Sequence, residues 1–132
     1  MPSWQFELCD TPTEPRAREL WLQHAAGFIL VEDVRQYAIE QLDDGLDPST
    51  RAAAIKGIDA ALYGVMMVAD GVTGGLRRKD RLVSVQISVR LEEAGRIEQE
   101  LNLFDGDGAC MGYHGWVRGD FGDDPVARPL GR

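Results

Sequence analysis

Apolar and polar positions change period along the chain, and each change marks an element. Trp4, Phe6 and Leu8 alternate with Gln5 and Glu7. A period of two predicts a short strand with one buried face. The run Thr11-Pro12-Thr13-Glu14-Pro15 breaks that pattern and offers a helix start, with Thr13 as the cap and Glu14 and Pro15 in the first turn. From Pro15 to Leu42 the spacing is helical. Ala17, Leu20, Trp21, His24 and Phe28 fall on one stripe, and Val31, Val34, Ala38 and Leu42 continue it. Gly27 lies between the two sets and either bends one helix or separates two. Asp43-Asp44-Gly45 closes the run, because acids oppose the dipole at a helix C-terminus.

Asp47-Pro48-Ser49 is the clearest helix start in the chain, with Asp47 capping and Pro48 supplying a preset φ. Ile55, Ile58, Leu62, Val65, Met66 and Ala69 then form one stripe, and Ala60–Ala69 is apolar on nearly every side. This predicts a helix at the centre of the fold, ended by Asp70-Gly71. Val72–Asp80 reads as a loop. From Leu82 to Leu91 the period returns to two, Glu92-Glu93-Ala94-Gly95 reads as a turn, and Ile97–Phe104 alternates again. That is the signature of a β-hairpin. Six glycines between Gly106 and Gly122 then predict an irregular segment, and Val126–Arg132 reads as a loose tail.

These elements predict an α+β fold. Two or three helices pack on one face of a small antiparallel sheet that holds the hairpin and Trp4–Leu8. Residues 1–125 form the single domain and 126–132 a flexible tail. The length of 132 residues suits one domain, and 44% apolar with 27% charged residues excludes a disordered chain.

The formal net charge of −8 changes the picture of partners. It repels phosphate backbones and anionic lipid, which argues against nucleic acid and against a membrane surface. The apolar run Ala60–Ala69 is shorter than a membrane span, and Met1–Arg16 lacks a basic cluster followed by an apolar run. Cys9 and Cys110 read as reduced thiols rather than a disulfide framework, which fits a cytoplasmic location. By segment, Glu92–Asp124 carries −7 and Glu32–Asp47 carries −5, whereas Arg77–Arg81 carries +3.

Candidate chemistry is sparse. Asp105-Gly106-Asp107-Gly108 resembles the start of a hard-cation loop, but Ala109 and Cys110 stand where further oxygen ligands are needed and no Glu follows. No metal is expected. Gly106, Gly108 and Gly112 have the wrong spacing for a dinucleotide loop. Cys110 and His114 suggest a thiol nucleophile with a base, yet the acidic surroundings favour the thiol over the thiolate. His24 sits among Trp21 and Phe28, where a packing role is usual. No catalytic residue and no cofactor is assigned.

What remains is binding. Glu92, Glu93, Glu98 and Glu100 supply an acidic hairpin, and Tyr113 and Trp116 supply aromatic anchors beside it. The expected function is a small acidic cytoplasmic protein that sequesters or inhibits a basic protein partner, as an immunity protein does. The alternatives are a non-catalytic accessory or homo-oligomeric domain, with a homodimer possible, or a small enzyme with its site in Asp105–His114.

Overall fold

The computed structural model describes residues 2–122 and 124–129. A 3-10 turn at Ser3–Gln5 leads into β1, Phe6–Leu8. Helix α1 spans Pro15–Leu30. Its cap is Glu14 rather than Thr13. The Glu14 carboxylate accepts the backbone N–H of Arg16 at 3.1 Å and of Ala17 at 2.6 Å. Pro15, at the first helical position, has no N–H to satisfy. Gly27 does not break the helix. The irregularity comes a turn later, where Val31–Gln36 form a π-helical segment before α2, Tyr37–Glu40.

Helix α3 spans Pro48–Ala69. Asp47 caps it as expected, accepting the Thr50 N–H at 2.9 Å and the Thr50 hydroxyl at 3.0 Å. The helix is central only in its second half. Leu62, Met66 and Ala69 are buried, whereas Val65 and most of the first three turns face outward. As a helix it reaches 22 residues, with a mean hydropathy of 1.5 over its most apolar window, so length and composition alone would let it cross a membrane. In this fold only 17% of that window is buried, through Leu62, Met66 and Ala69, so most of the helix is left uncovered by the other described residues.

The strands form three separate two-stranded antiparallel sheets, not one. The expected strand Leu82–Leu91 is divided. β2, Gly75–Arg78, pairs with β3, Arg81–Ser84, so part of the expected loop is a strand. β4, Ser88–Glu93, pairs with β5, Arg96–Asn102, as the expected hairpin. Val85-Gln86-Ile87 separates the two, and its backbone groups still find partners. The Val85 N–H donates to Gly74 O at 3.0 Å, and Ile87 O accepts the Leu103 N–H at 2.8 Å. Ala94 and Gly95 both have positive φ, 51° and 77°, as the tight turn of a two-residue hairpin requires. β1 pairs not with this hairpin but with β6, Val126–Pro129, where a loose tail is expected. The rest of that tail lies outside the described residues.

A short 3-10 turn, Leu103–Asp105, leads to α4, Ala109–Trp116, in the segment expected to be irregular. The start of α4 is held by a carboxylate from elsewhere. Asp70, at the end of α3, accepts the Ala109 N–H at 2.6 Å and the Cys110 N–H at 2.9 Å. Two glycines around α4 serve packing. A Cβ at Gly27 of α1 or at Gly112 would collide with the Trp116 indole, so the ring occupies a slot that two glycines leave open. Its Nε1–H donates to His24 Nδ1 at 3.0 Å. The core is therefore Trp21, Leu22, Ala26 and Phe28 of α1, Ile39 of α2, the end of α3, Leu103 of the 3-10 turn, and Ala109, Tyr113 and Trp116 of α4.

Candidate interaction surface

The alternation of β4 and β5 positions the acidic residues. Val89 and Leu101 are cross-strand partners, and Val89 packs against the core. Arg90 and Glu100, one step along, face the other way. Glu100 Oε2 lies 3.5 Å from Arg90 Nε, and Glu98 Oε2 lies 3.4 Å from an Arg18 guanidinium nitrogen on α1. Both pairs are partly exposed, so each contributes little to stability but lowers the local field. Glu92 and Glu93 differ. They flank the turn, are exposed, and form no ion pair among the described residues. Ile97, the cross-strand partner of Glu92, is also exposed. The four glutamates thus share one hairpin, and at its tip Arg96, the cross-strand partner of Glu93, offsets one of the two acids.

Tyr113 and Trp116 are not available as anchors. They are 4% and 3% exposed and belong to the core. Tyr113 donates its hydroxyl proton to Asp59 Oδ1 at 2.7 Å, and Arg35 Nε donates to the same oxygen at 2.6 Å. One carboxylate therefore ties the π-helical segment, α3 and α4 together. Hydrogen bonding from Arg35 holds the Asp59 carboxyl below the usual carboxylate range, and burial and then Asp59 push the Tyr113 phenol well above its ordinary value.

The Asp105–His114 segment is occupied with structure. Asp107 forms a bidentate ion pair with Arg16 and accepts from Gln23 Nε2 at 2.7 Å, while its own N–H donates to Gln23 Oε1 at 2.7 Å. These bonds, Arg16 first, hold the Asp107 carboxyl below its usual range. Its oxygens are thus committed to neighbours that a cation would have to displace. Among the described residues no group of three or more His, Cys, Asp or Glu is placed to hold a metal. Cys110 lies near Asp70 and Tyr63, and burial, with hydrogen bonding to Asp70, pushes its thiol up. A raised thiol is a poor nucleophile at neutral pH. His114 stacks at a tilt on Tyr63, with centroids 5.6 Å apart. A cleft of about 290 Å³ lies between α1 and α4, lined by His24, Asp107, Gly112 and Trp116 among others.

Two exposed surfaces escape the sequence. The first is the β2–β3 arm, every residue of which is exposed. The +3 cluster at Arg77–Arg81 is its signal; β3 falls in the alternating run from Leu82, but β2 shows no alternation. The second is α2, where Tyr37 is 59% exposed and Val34 is exposed beside it. The helical spacing places Tyr37 between the expected core positions Val34 and Ala38, which gives no hint of its exposure. No protein-family model, no curated protein and no solved structure matches the chain.

Proposed function

We propose that this chain is a small binding protein that docks a basic protein partner through its acidic hairpin and so sequesters or inhibits it, in the manner of an immunity protein acting in the cytoplasm. The observation that carries this reading is the pair of exposed acids at the hairpin tip, where Glu92–Arg96 keeps a net charge of −1 with Arg96 opposite Glu93. Glu92 and Glu93 stand exposed without ion pairs among the described residues, in a chain of net charge −8. Acids left unpaired at a protruding turn attract a cationic surface over roughly a Debye length, about 8 Å at physiological salt. Ile97 beside Glu92 offers the apolar contact that the buried Tyr113 and Trp116 do not.

The test is affinity capture from the native host at low salt, run in parallel with wild-type protein and the variant Glu92→Gln, Glu93→Gln, Glu98→Gln, Glu100→Gln. A basic protein that the wild type retains, that salt releases, and that the variant fails to retain supports the reading. Equal retention by both proteins, or retention of acidic proteins only, refutes it.

A further inference from the structure

The β2–β3 arm has two unlike faces. Register pairs Leu76 with Val83 and Arg78 with Arg81 on one face, and Gly75 with Ser84 and Arg77 with Leu82 on the other. The second face overhangs a cleft of about 660 Å³ that Val68, Val72, Val85 and Phe104 also line. The first face looks away from the body. Leu76 is 75% and Val83 66% exposed, with Arg78 and Arg81 beyond them toward the tip. An isolated two-stranded hairpin is marginal in water, and one with aliphatic side chains and free edges exposed is a surface that seeks a cover.

Charge identifies the cover. The arm segment Arg77–Arg81 carries +3, and a total of −8 with this +3 set apart leaves −11 on the rest of the chain. A body of −11 repels nucleic acid and anionic lipid, which would otherwise suit a cationic arm. It attracts the arm of another copy. Two arms do not suit each other, because each brings the same +3 of charge to the contact. The surface that matches an apolar and cationic arm is apolar and anionic. Exposed Val34 in the π-helical segment, Tyr37 and Glu40 on α2, and Asp43 and Asp44 beyond it provide that match, with −3 over Glu40–Asp44 against only −1 over Glu92–Arg96 at the hairpin tip.

We propose that two copies of this chain form a reciprocal dimer, in which the β2–β3 arm of each docks through Leu76, Val83, Arg78 and Arg81 on the Val34–Tyr37–Glu40–Asp44 surface of the other. In the proposed two-fold arrangement each arm meets one α2 surface, so closure is complete with two copies and larger assemblies at about 100 μM would also overturn it. The acidic β4–β5 hairpin stays outside this contact.

A charge exchange tests the dimer by sedimentation equilibrium. Wild type should run at twice 14.6 kDa at about 100 μM, where a micromolar contact is saturated. The arm variant Arg78→Glu, Arg81→Glu and the α2 variant Glu40→Lys, Asp44→Lys should each run as monomers, since each homodimer would hold two repulsive contacts. Their equimolar mixture should recover the dimer, because both of its contacts are again attractive. Circular dichroism checks that each variant is folded. Leu76→Thr with Val83→Thr, which keeps strand propensity and charge, should weaken the dimer at least about tenfold. A monomeric wild type, variants that dimerise unmixed, or a mixture that stays monomeric overturns the proposal. So does a monomeric wild type that binds duplex DNA or phosphatidylserine vesicles through the same arginines, which would reassign the arm.

Discussion

Gly27→Ala should destabilise the fold, against the usual expectation for a glycine inside a helix. On propensity alone, alanine gains about 1 kcal/mol in a helix interior. Here the new Cβ would sit within the Trp116 indole, a rigid ring that Gly112 confines from another side. Overpacking a filled core costs about 1–3 kcal/mol. Displacing the ring also strains the Trp116–His24 hydrogen bond, which contributes about 1 kcal/mol. The net effect is a loss of about 2 kcal/mol, or roughly 8 °C in Tm for a domain this size. The decisive comparison repeats the substitution in Trp116→Leu, where the slot is open. There Gly27→Ala should be neutral or stabilising by up to about 1 kcal/mol, a coupling of about 2–3 kcal/mol between the two sites. Guanidinium unfolding followed by far-UV circular dichroism measures all four proteins without relying on tryptophan emission. A Gly27→Ala protein as stable as wild type, or an equal cost in both backgrounds, would refute the slot.

Leu62→Ala should cost about 2–5 kcal/mol while Val65→Ala stays within about 1, because only the first is buried. Equal denaturation midpoints and slopes would contradict the orientation of α3. The depressed Asp59 carboxyl adds stability that is present above the ordinary aspartate value, about 3.9, and is lost as pH falls through its folded value. Arg35→Gln should therefore be less stable than wild type at neutral pH, and the gap should close as acid protonates Asp59; a gap independent of pH would count against the pair. Cys110 should alkylate slowly with iodoacetamide at pH 7 and faster only above the ordinary thiol range, as peptide mass spectrometry will show. Rapid modification at pH 7 would reverse that assignment.

The legible parts of this chain are those where one face is wet and the other dry. The β4–β5 hairpin alternates because Val89 and Leu101 face the helices while Arg90 and Glu100 face water. Asp47-Pro48 declares the start of α3 because its chemistry is local. The illegible parts depend on distant residues. Glycine near α4 looks like a loop signal, yet Gly112 is small because the Trp116 ring is large. Glycine therefore lowers local helix propensity while serving tertiary packing, and the second effect prevails. The same ambiguity hid the anchors. Tyr113 and Trp116 among glycines resemble a surface loop, and only the approach of α1 and α3 buries them. β2 is illegible for the opposite reason, since Gly75–Arg78 has no dry face and no alternation, whereas β3 falls in the alternating run that begins at Leu82.

Asp70 ends one helix and begins another, and this sets an order of events. Eight residues that include two glycines cannot nucleate a helix alone, because the first turn fixes several dihedrals for one hydrogen bond. The carboxylate that accepts the Ala109 and Cys110 N–H groups comes from a residue some forty positions earlier. Until α3 exists, that acceptor has no fixed position. α3 begins with its own cap and local contacts, so it can form early, and α4 condenses afterwards onto a site already built. In rate terms, damage to α4 falls on the unfolding limb and leaves the folding limb nearly unchanged, whereas damage to α3 slows both the search and its completion. During synthesis the same dependence delays closure of the core. Leu62 and Met66 are made well before Trp116, with which they share the core cluster, and in that interval the nascent chain leaves this apolar face of α3 open.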